Sequence, residues 1–425
     1  MKSNPSSPAA RQRGAAALIV TLMLFFAMVL TALFVNRNLV FEQRASANQT
    51  RSTQAFEAAE AGLEWALAQL NNPQRIGADC QPSADPAASS FRERYLSFGR
   101  DSAVFRPNTW MQGGNATPLQ PTCVRSASGW SCSCPANGAP ALSAPTGSAP
   151  FAAFTLQFVP DNKAGIVRIV ANGCTSLAGT CLPGSTASTD ASARIELAFG
   201  LHAGLRTPPV AALTTRGAFN ADAAALGVHN PDPATGIAIH AGAGIAAAQA
   251  RLTGPAGSAP GSALVSADTA LAALSTAQFF ARSFGIDKTT WKNQPAVTRI
   301  TCATDCAAAL TTAIASVSGN ALIWIDGDLA LTGPLTLGTP ASPVVIVVDG
   351  MARLEGAVAL CGVIYSASMT WSNTSGGAFV RGAALTEGDY QGLGAPEFFY
   401  DSGVLATLAG NSGSFARVSG SWRDF

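Results

Sequence analysis

The chain has 425 residues, enough for more than one domain, with 12% charged residues and a formal net charge of +1. That balance leaves no electrostatic footprint for nucleic acid. Low charge together with 41 Gly and nine Cys is the composition of a secreted, surface-type protein, not of a cytosolic enzyme.

Residues 14–35 read GAAALIVTLMLFFAMVLTALFV, uncharged and apolar, directly behind Arg11, Gln12 and Arg13. A helix needs about 20 apolar residues to cross the hydrocarbon layer, whereas the apolar core of a secretory signal is usually ~7–15 long, so the length favours a retained anchor. Ala45-Ser46-Ala47 is the one alternative processing site, and charged Arg37, Glu42 and Arg44 intervene. Lys2, Arg11 and Arg13 before the span are balanced by Arg37, Arg44 and Arg51 after it. Cysteine usage decides the orientation: groupable cysteines suit an oxidising compartment and put residues 36–425 outside the cytoplasm, beyond a membrane crossed once.

The span does not end in a loop. From Asn36 to Leu70 there is no Pro and one Gly, and Phe56, Ala59, Leu63, Leu67 and Leu70 recur at helical spacing, so a single helix is expected over 15–72, stopped by Asn71-Asn72-Pro73. Its apolar seam requires a cover, either a domain of the same chain or other helices. Ala55, Ala58, Ala59, Ala61 and Gly62 are small enough for close approach.

Arg13-Gly14 before the apolar run resembles the basic-Gly cleavage site of type IV prepilins, and FEQRASANQTRSTQAFEAAEAGLEWAL at 41–67 resembles the N-terminal region of PilX-type pilus assembly proteins, over about residues 11–70. GSWRDF at the C-terminus resembles the tail of longer members. The resemblance implies a basic leader at 1–14, cleavage between Gly14 and Ala15 by a prepilin peptidase, and assembly with other minor pilins and pilus assembly proteins in a type IV pilus. Two positions depart from the pattern: Ala15 stands where Phe is usual, and Ile19 where major pilins carry Glu. A carboxylate in hydrocarbon is tolerable only when paired, and in major pilins it is thought to meet the terminal amine of a neighbour. A subunit with Ile19 lacks that docking charge, as does the K-type pseudopilin of type II secretion, which it resembles, and suits an initiating or tip complex better than the shaft. Ile19, Phe56, Leu63 and Leu67 are the residues expected to serve helix assembly.

Residues 73–207 are expected to form a disulfide-containing, pilin-like head. Phe151 to Val159, Ile166 to Gly173 and Ala193 to His202 read as strands, the first turned into the second by Asp161-Asn162-Lys163, and an antiparallel sheet there would be covered by the helix seam. Cys174 and Cys181 flank a short loop and are expected to pair, whereas Cys80, Cys123, Cys132 and Cys134 allow three connectivities. Cys132-Ser133-Cys134 has neither zinc spacing nor a nearby His, and no metal or cofactor is expected.

Beyond Pro209 short apolar runs alternate with Gly. Ile325-Asp326-Gly327 followed by Leu329, Leu331 and Gly333 is echoed by Val348-Asp349-Gly350 followed by Ala352, Leu354 and Gly356, an offset of 23 residues, with a looser turn from Val380-Arg381-Gly382 to Glu387-Gly388-Asp389. Such a period is the mark of a β-solenoid, so 208–425 is expected to be a Gly-rich, β-helix-like domain. A helical insertion is expected at about 262–318, with one helix from a cap at Ser266-Ala267-Asp268 through Phe284 and another from Cys306 to Val317. Cys302 and Cys306 are close enough to bond, and Cys361 lies in an apolar run as a buried core thiol.

The fold class expected is therefore α+β and β-solenoid: a long N-terminal membrane helix on an antiparallel pilin-like sheet, then the β-helix-like domain. β-Helices also host polysaccharide-active enzymes. Here Asp326, Asp328, Asp349, Glu355, Glu387 and Asp389 nearly all abut Gly, as turn chemistry alone would produce, and His202, His229 and His240 lack any Ser or Cys motif, so no catalytic residue is assigned. The competing reading is a permanently anchored periplasmic solenoid that binds a glycan.

Overall fold

The computed structural model describes residues 13–425 except 100–101, 147–149, 184, 186–190, 222–224, 303 and 374–375; the expected leader lies outside them up to residue 12. The first element, α1 (Arg13–Asn71), is one helix of 59 residues, about 88 Å long at 1.5 Å per residue. From Ala16 to Thr50 every residue is exposed, and its most apolar 18-residue window has a mean hydropathy of 2.8, long and apolar enough to cross a membrane.

The last part of α1 packs on a seven-stranded antiparallel sheet. In spatial order the strands are Gly413–Arg417, Ser192–Ala203, Ile166–Cys174, Ala153–Val159, Thr122–Ser126 and Gly129–Ser133, with Arg423–Asp424 also on Ser192–Ala203. Alternation builds one buried face: Phe154, Leu156 and Phe158, then Val167, Ile169 and Ala171, then Ile195, Leu197 and Phe199 meet Ala59, Leu63, Ala66 and Leu70 of the helix. Gly173 lets the two backbones nearly touch, since a Cβ there would stand 2.0 Å from the Ala55 carbonyl oxygen and 2.4 Å from the Ala59 nitrogen. The small residues of α1 are thus used against this sheet.

The C-terminal strands correct the expected layout. Gly413–Arg417 and Arg423–Asp424 lie at the end of the segment read as solenoid, yet both pair with Ser192–Ala203. That strand would otherwise be a long open sheet edge, and the chain end closes it.

Between these strands the chain winds through three parallel ladders. The first runs Val297–Thr301, Leu322–Asp326, Val344–Val348, the second halves of Val358–Ser366 and Phe379–Thr386, then Ala211–Thr215, Ile237–Ala241 and Leu264–Val265. The second runs Leu329–Thr332, Met351–Glu355, Ser368–Ser372, Tyr390–Gly392, Phe219–Asn220 and Ile245–Ala246. The third runs Leu335–Leu337, the first halves of Val358–Ser366 and Phe379–Thr386, Glu397–Tyr400, Gly227–His229 and Arg251–Thr253. Long strands turn from the third ladder into the first at positions such as Gly362, where φ is 145° and a Cβ would sit 1.8 Å from the Val344 carbonyl oxygen. The echo of 23 residues is a pairing register, Ile325 with Val348 and Leu329 with Ala352. The looser turn is not its equivalent throughout: Val380-Arg381-Gly382 stands at the corner before the first ladder, and only Glu387-Gly388 corresponds to Asp349-Gly350.

Stacking order is not chain order. Residues 211–229 sit on the last turn of the stack, Leu213 on Ala384, Phe219 on Tyr390 and Val228 on Phe398. After Leu264–Val265 the chain crosses back over the outside of the first ladder and re-enters at the opposite end with Val297–Thr301. The single helix expected through Phe284 is split into Thr269–Ala272 and Thr276–Phe284, because Ser275 and Gln278 form a capping box that starts a new helix. Lys288–Lys292 follows, and Ala307–Ser316 closes one end of the core with Leu310 and Ala313. Residues facing inward, Ile323, Ile325, Ile346, Val348 and Ile364, fill the stack, and those facing outward, Trp324, Val345, Val347, Val363 and Tyr365, are covered by Phe279, Phe280, Phe284, Trp291 and Leu405. Burial on both faces explains the continuous run Val344–Val348. On the outer side of the second ladder, among the described residues, Arg353, Glu355, Ser372, Gln391 and Asn220 are exposed.

Candidate assembly interface

Among the described residues, most of the exposed large apolar side chains lie on the free part of α1, from Leu18 to Phe41. Ile19 is 57% exposed within it. The other three residues named for helix assembly lie on the covered seam. Leu63 is buried in the head, and Phe56 and Leu67 are half-buried against the same core. The seam read from the sequence is therefore covered by the subunit's own sheet. What remains open is the preceding stretch and the opposite side of the rod, where Glu57, Glu60 and Glu64 are exposed. Gly14 and Ala15 lie in the first turn of α1.

The rod is locked to the rest of the chain where it ends. Arg92 donates to the carbonyl of Leu70 at 2.9 Å and to that of Gly413 at 2.7 Å, with its guanidinium 4.8 Å from the Phe415 ring. It supplies a C-terminal cap to a helix with no basic residue in its own last turn. Desolvation at this junction brings the Arg92 guanidinium down to about 10, with Glu93 acting the other way. Asn71 donates to the Phe415 carbonyl at 3.0 Å and accepts from its N–H at 2.6 Å. The stack joins the same junction: the Ser318 N–H donates to the Pro73 carbonyl at 3.0 Å, the Ser318 hydroxyl donates to Glu93, and Arg75 donates to the Ala315 carbonyl. Lower on the helix Arg417 pairs with Glu64, and Trp422 lies 6.3 Å from Phe56. None of Asn71, Arg92 and Ser318 carried a signal in the sequence beyond a helix stop, because their partners are far along the chain.

The cysteines bond as Cys80–Cys134, Cys123–Cys132, Cys174–Cys181 and Cys302–Cys306. The first two select one of the three connectivities left open. Cys361 is a buried free thiol, pushed up by desolvation. Asp328 and Asp389 accept the backbone N–H of Met351 and Ala218 from neighbouring turns, at 2.8 and 2.7 Å. Asp326 is held below the ordinary carboxylate range by Arg299 and the Trp324 indole, against desolvation, which acts first and in the opposite sense. Glu355 is exposed, and Asp349 and Glu387 flank Lys288. His229 meets Glu397, and His240 meets Asp268, each at 2.7 Å, while His202 is exposed. Among the described residues no three His, Cys, Asp or Glu side chains gather as a metal site.

Residues 13–64 match the family described as PilX N-terminal. The likeness is confined to this stretch of α1. The match ends inside the head-covered part of α1, so the PilX-type region contributes both the free apolar rod and the seam beneath the sheet. The solved structure of the competence-associated pilin ComZ from Thermus thermophilus aligns over 88% of this chain and 98% of that one at 12% identity, with a TM-score of 0.20, an overlay too loose to bear on the fold. No curated protein matches the chain. The matched residues lie on a helix that is long and apolar enough to cross a membrane.

Proposed function

We infer that the protein is a minor-pilin-like component of type IV pilus assembly, acting in the initiating or tip complex, with its bulk on the periplasmic side of the inner membrane. The observation that carries this reading is the division of α1: the residues from Ala16 to Thr50 are exposed, while Ala55, Ala59, Leu63, Ala66 and Leu70 are buried under the sheet of the same chain. A free apolar rod projecting from a rigid head is what a filament subunit inserts among other helices. The head then corresponds to residues 73–207 completed by the C-terminal strands, and the three parallel ladders to a β-solenoid raised above it. Ile19 supports a position outside the repeated shaft, since it offers no carboxylate to a neighbour. The outer side of the second ladder is the surface available to other pilus proteins or to an outside target.

Processing by a prepilin peptidase is part of this reading, with cleavage between Gly14 and Ala15. Replacing Gly14 with Leu is expected to block cleavage and leave a heavier precursor in the membrane. Equal masses for wild type and G14L in cells that contain the peptidase would contradict it and favour a permanently anchored protein.

A further inference from the structure

Lys288 opens the short helix Lys288–Lys292, which crosses the outside of the first ladder, and its ammonium stands between two carboxylates. Nζ is 2.5 Å from Oε1 of Glu387 and 3.6 Å from Oδ1 of Asp349. The two acids follow equivalent strands two turns of the stack apart, and the turn between them carries Ala367, whose small side chain leaves the lysine room to lie across. Glu387 is 8% exposed and accepts the Tyr365 hydroxyl at 2.7 Å. Burial raises the Tyr365 hydroxyl far above its usual range, so it stays a donor. Its ring is packed by Phe280 and Phe284 at 5.1 and 5.5 Å. Arg216 holds the Glu387 carbonyl at 2.7 Å, which fixes the backbone from the other side.

We propose that Lys288 and Asp349 form an intramolecular amide, with Glu387 carrying the protons. Glu387 takes a proton from the Lys288 ammonium and passes it to the Asp349 carboxylate, the free amine attacks Cγ of the neutral carboxyl and a C–N bond forms, and Glu387 then takes a second proton from the nitrogen and delivers it to the departing hydroxyl as the C–O bond breaks, releasing water. The balance is one ammonium and one carboxylate giving one amide and one water, with no oxidant, metal or other reagent. Asp349 is 48% exposed, which gives the water a way out. In free solution amide formation from these ions does not proceed usefully, but groups held near contact by a rigid scaffold react with effective concentrations of roughly 10⁵ M or more. The bond would add a covalent tie between the helical crossing and the ladder it covers, beside hydrogen bonds such as those from the Arg206 and Thr207 N–H groups to the Ser283 carbonyl. It is independent of the pilus reading.

The test uses the full chain purified in detergent, denatured, reduced, alkylated and digested with trypsin. The expected product is a joined species containing residues 283–292, uncut after Lys288, and the peptide bearing Asp349, lighter than the sum of its parts by one water. The species should be absent from K288R, which keeps the positive charge, and from D349A, whose side chain is half-exposed and whose loss leaves the fold intact. In E387Q it should fall at least tenfold. Wild-type protein that yields only separate peptides cut after Lys288 overturns the proposal, and a joined species at wild-type level in E387Q overturns the role of Glu387.

Discussion

Asn71, the last residue of α1, holds the backbone of Phe415 by two hydrogen bonds, donating to its carbonyl at 3.0 Å and accepting from its N–H at 2.6 Å, across 344 positions of sequence. One side chain thereby acts as a strand partner for the C-terminal strand and as the stop of the helix. The rod cannot tilt against the head without breaking both bonds.

Asn71→Ala is expected to weaken this junction. Both Phe415 groups would lose their buried partner, and each unsatisfied group costs about 1–3 kcal/mol. Limited proteolysis of the detergent-solubilised chain checks it: the tail after Asn411 should be cut at least tenfold faster in the variant. Equal cutting rates would remove Asn71 from the account.

Two glycines are expected to be intolerant where a third is not. Gly173→Ala would drive a methyl into the Ala55 carbonyl, and Gly362→Ala would combine a collision with Val344 with φ of 145°, whereas a Cβ at Gly244 meets nothing within 4 Å. Overpacking costs about 1–3 kcal/mol, and the strained backbone at Gly362 adds to it. Chemical denaturation of the three variants should separate Gly244→Ala, within about 0.5 kcal/mol of wild type, from the other two.

Thiol accounting tests the compartment. Denatured, non-reduced protein taken from cells is expected to carry one alkylatable thiol, Cys361, which reacts slowly in the native state because it is 7% exposed. Protein with most of its nine cysteines free would contradict an oxidising location.

Much of this architecture is legible in short-range pattern. Helical spacing of Ala59, Leu63 and Leu70 gives the covered seam, alternation gives the head strands, and the echo of Ile325-Asp326-Gly327 in Val348-Asp349-Gly350 gives the ladder register. Periodicity says which face of an element is buried and nothing about which distant element buries it. For that reason the return of Gly413–Arg417 to the head and the stacking of residues 211–229 on the last turn were not readable. The split of the helix before Phe284 was readable in principle, since Ser275 with Gln278 is a capping signature inside an apolar pattern. Arg92 and Lys288 had no local signal, as each acts on groups contributed by other parts of the chain.

A rod that carries Ile19 in place of the carboxylate of shaft subunits is expected to enter a filament in few copies. Quantitative mass spectrometry of sheared pili measures this directly. The protein is expected in the pili with residues 1–14 removed and at no more than a few copies per filament, and its deletion is expected to lower the number of pili. A ratio near one copy per major pilin would contradict the tip assignment, and absence from pili together with normal piliation in the deletion strain would contradict the role in assembly.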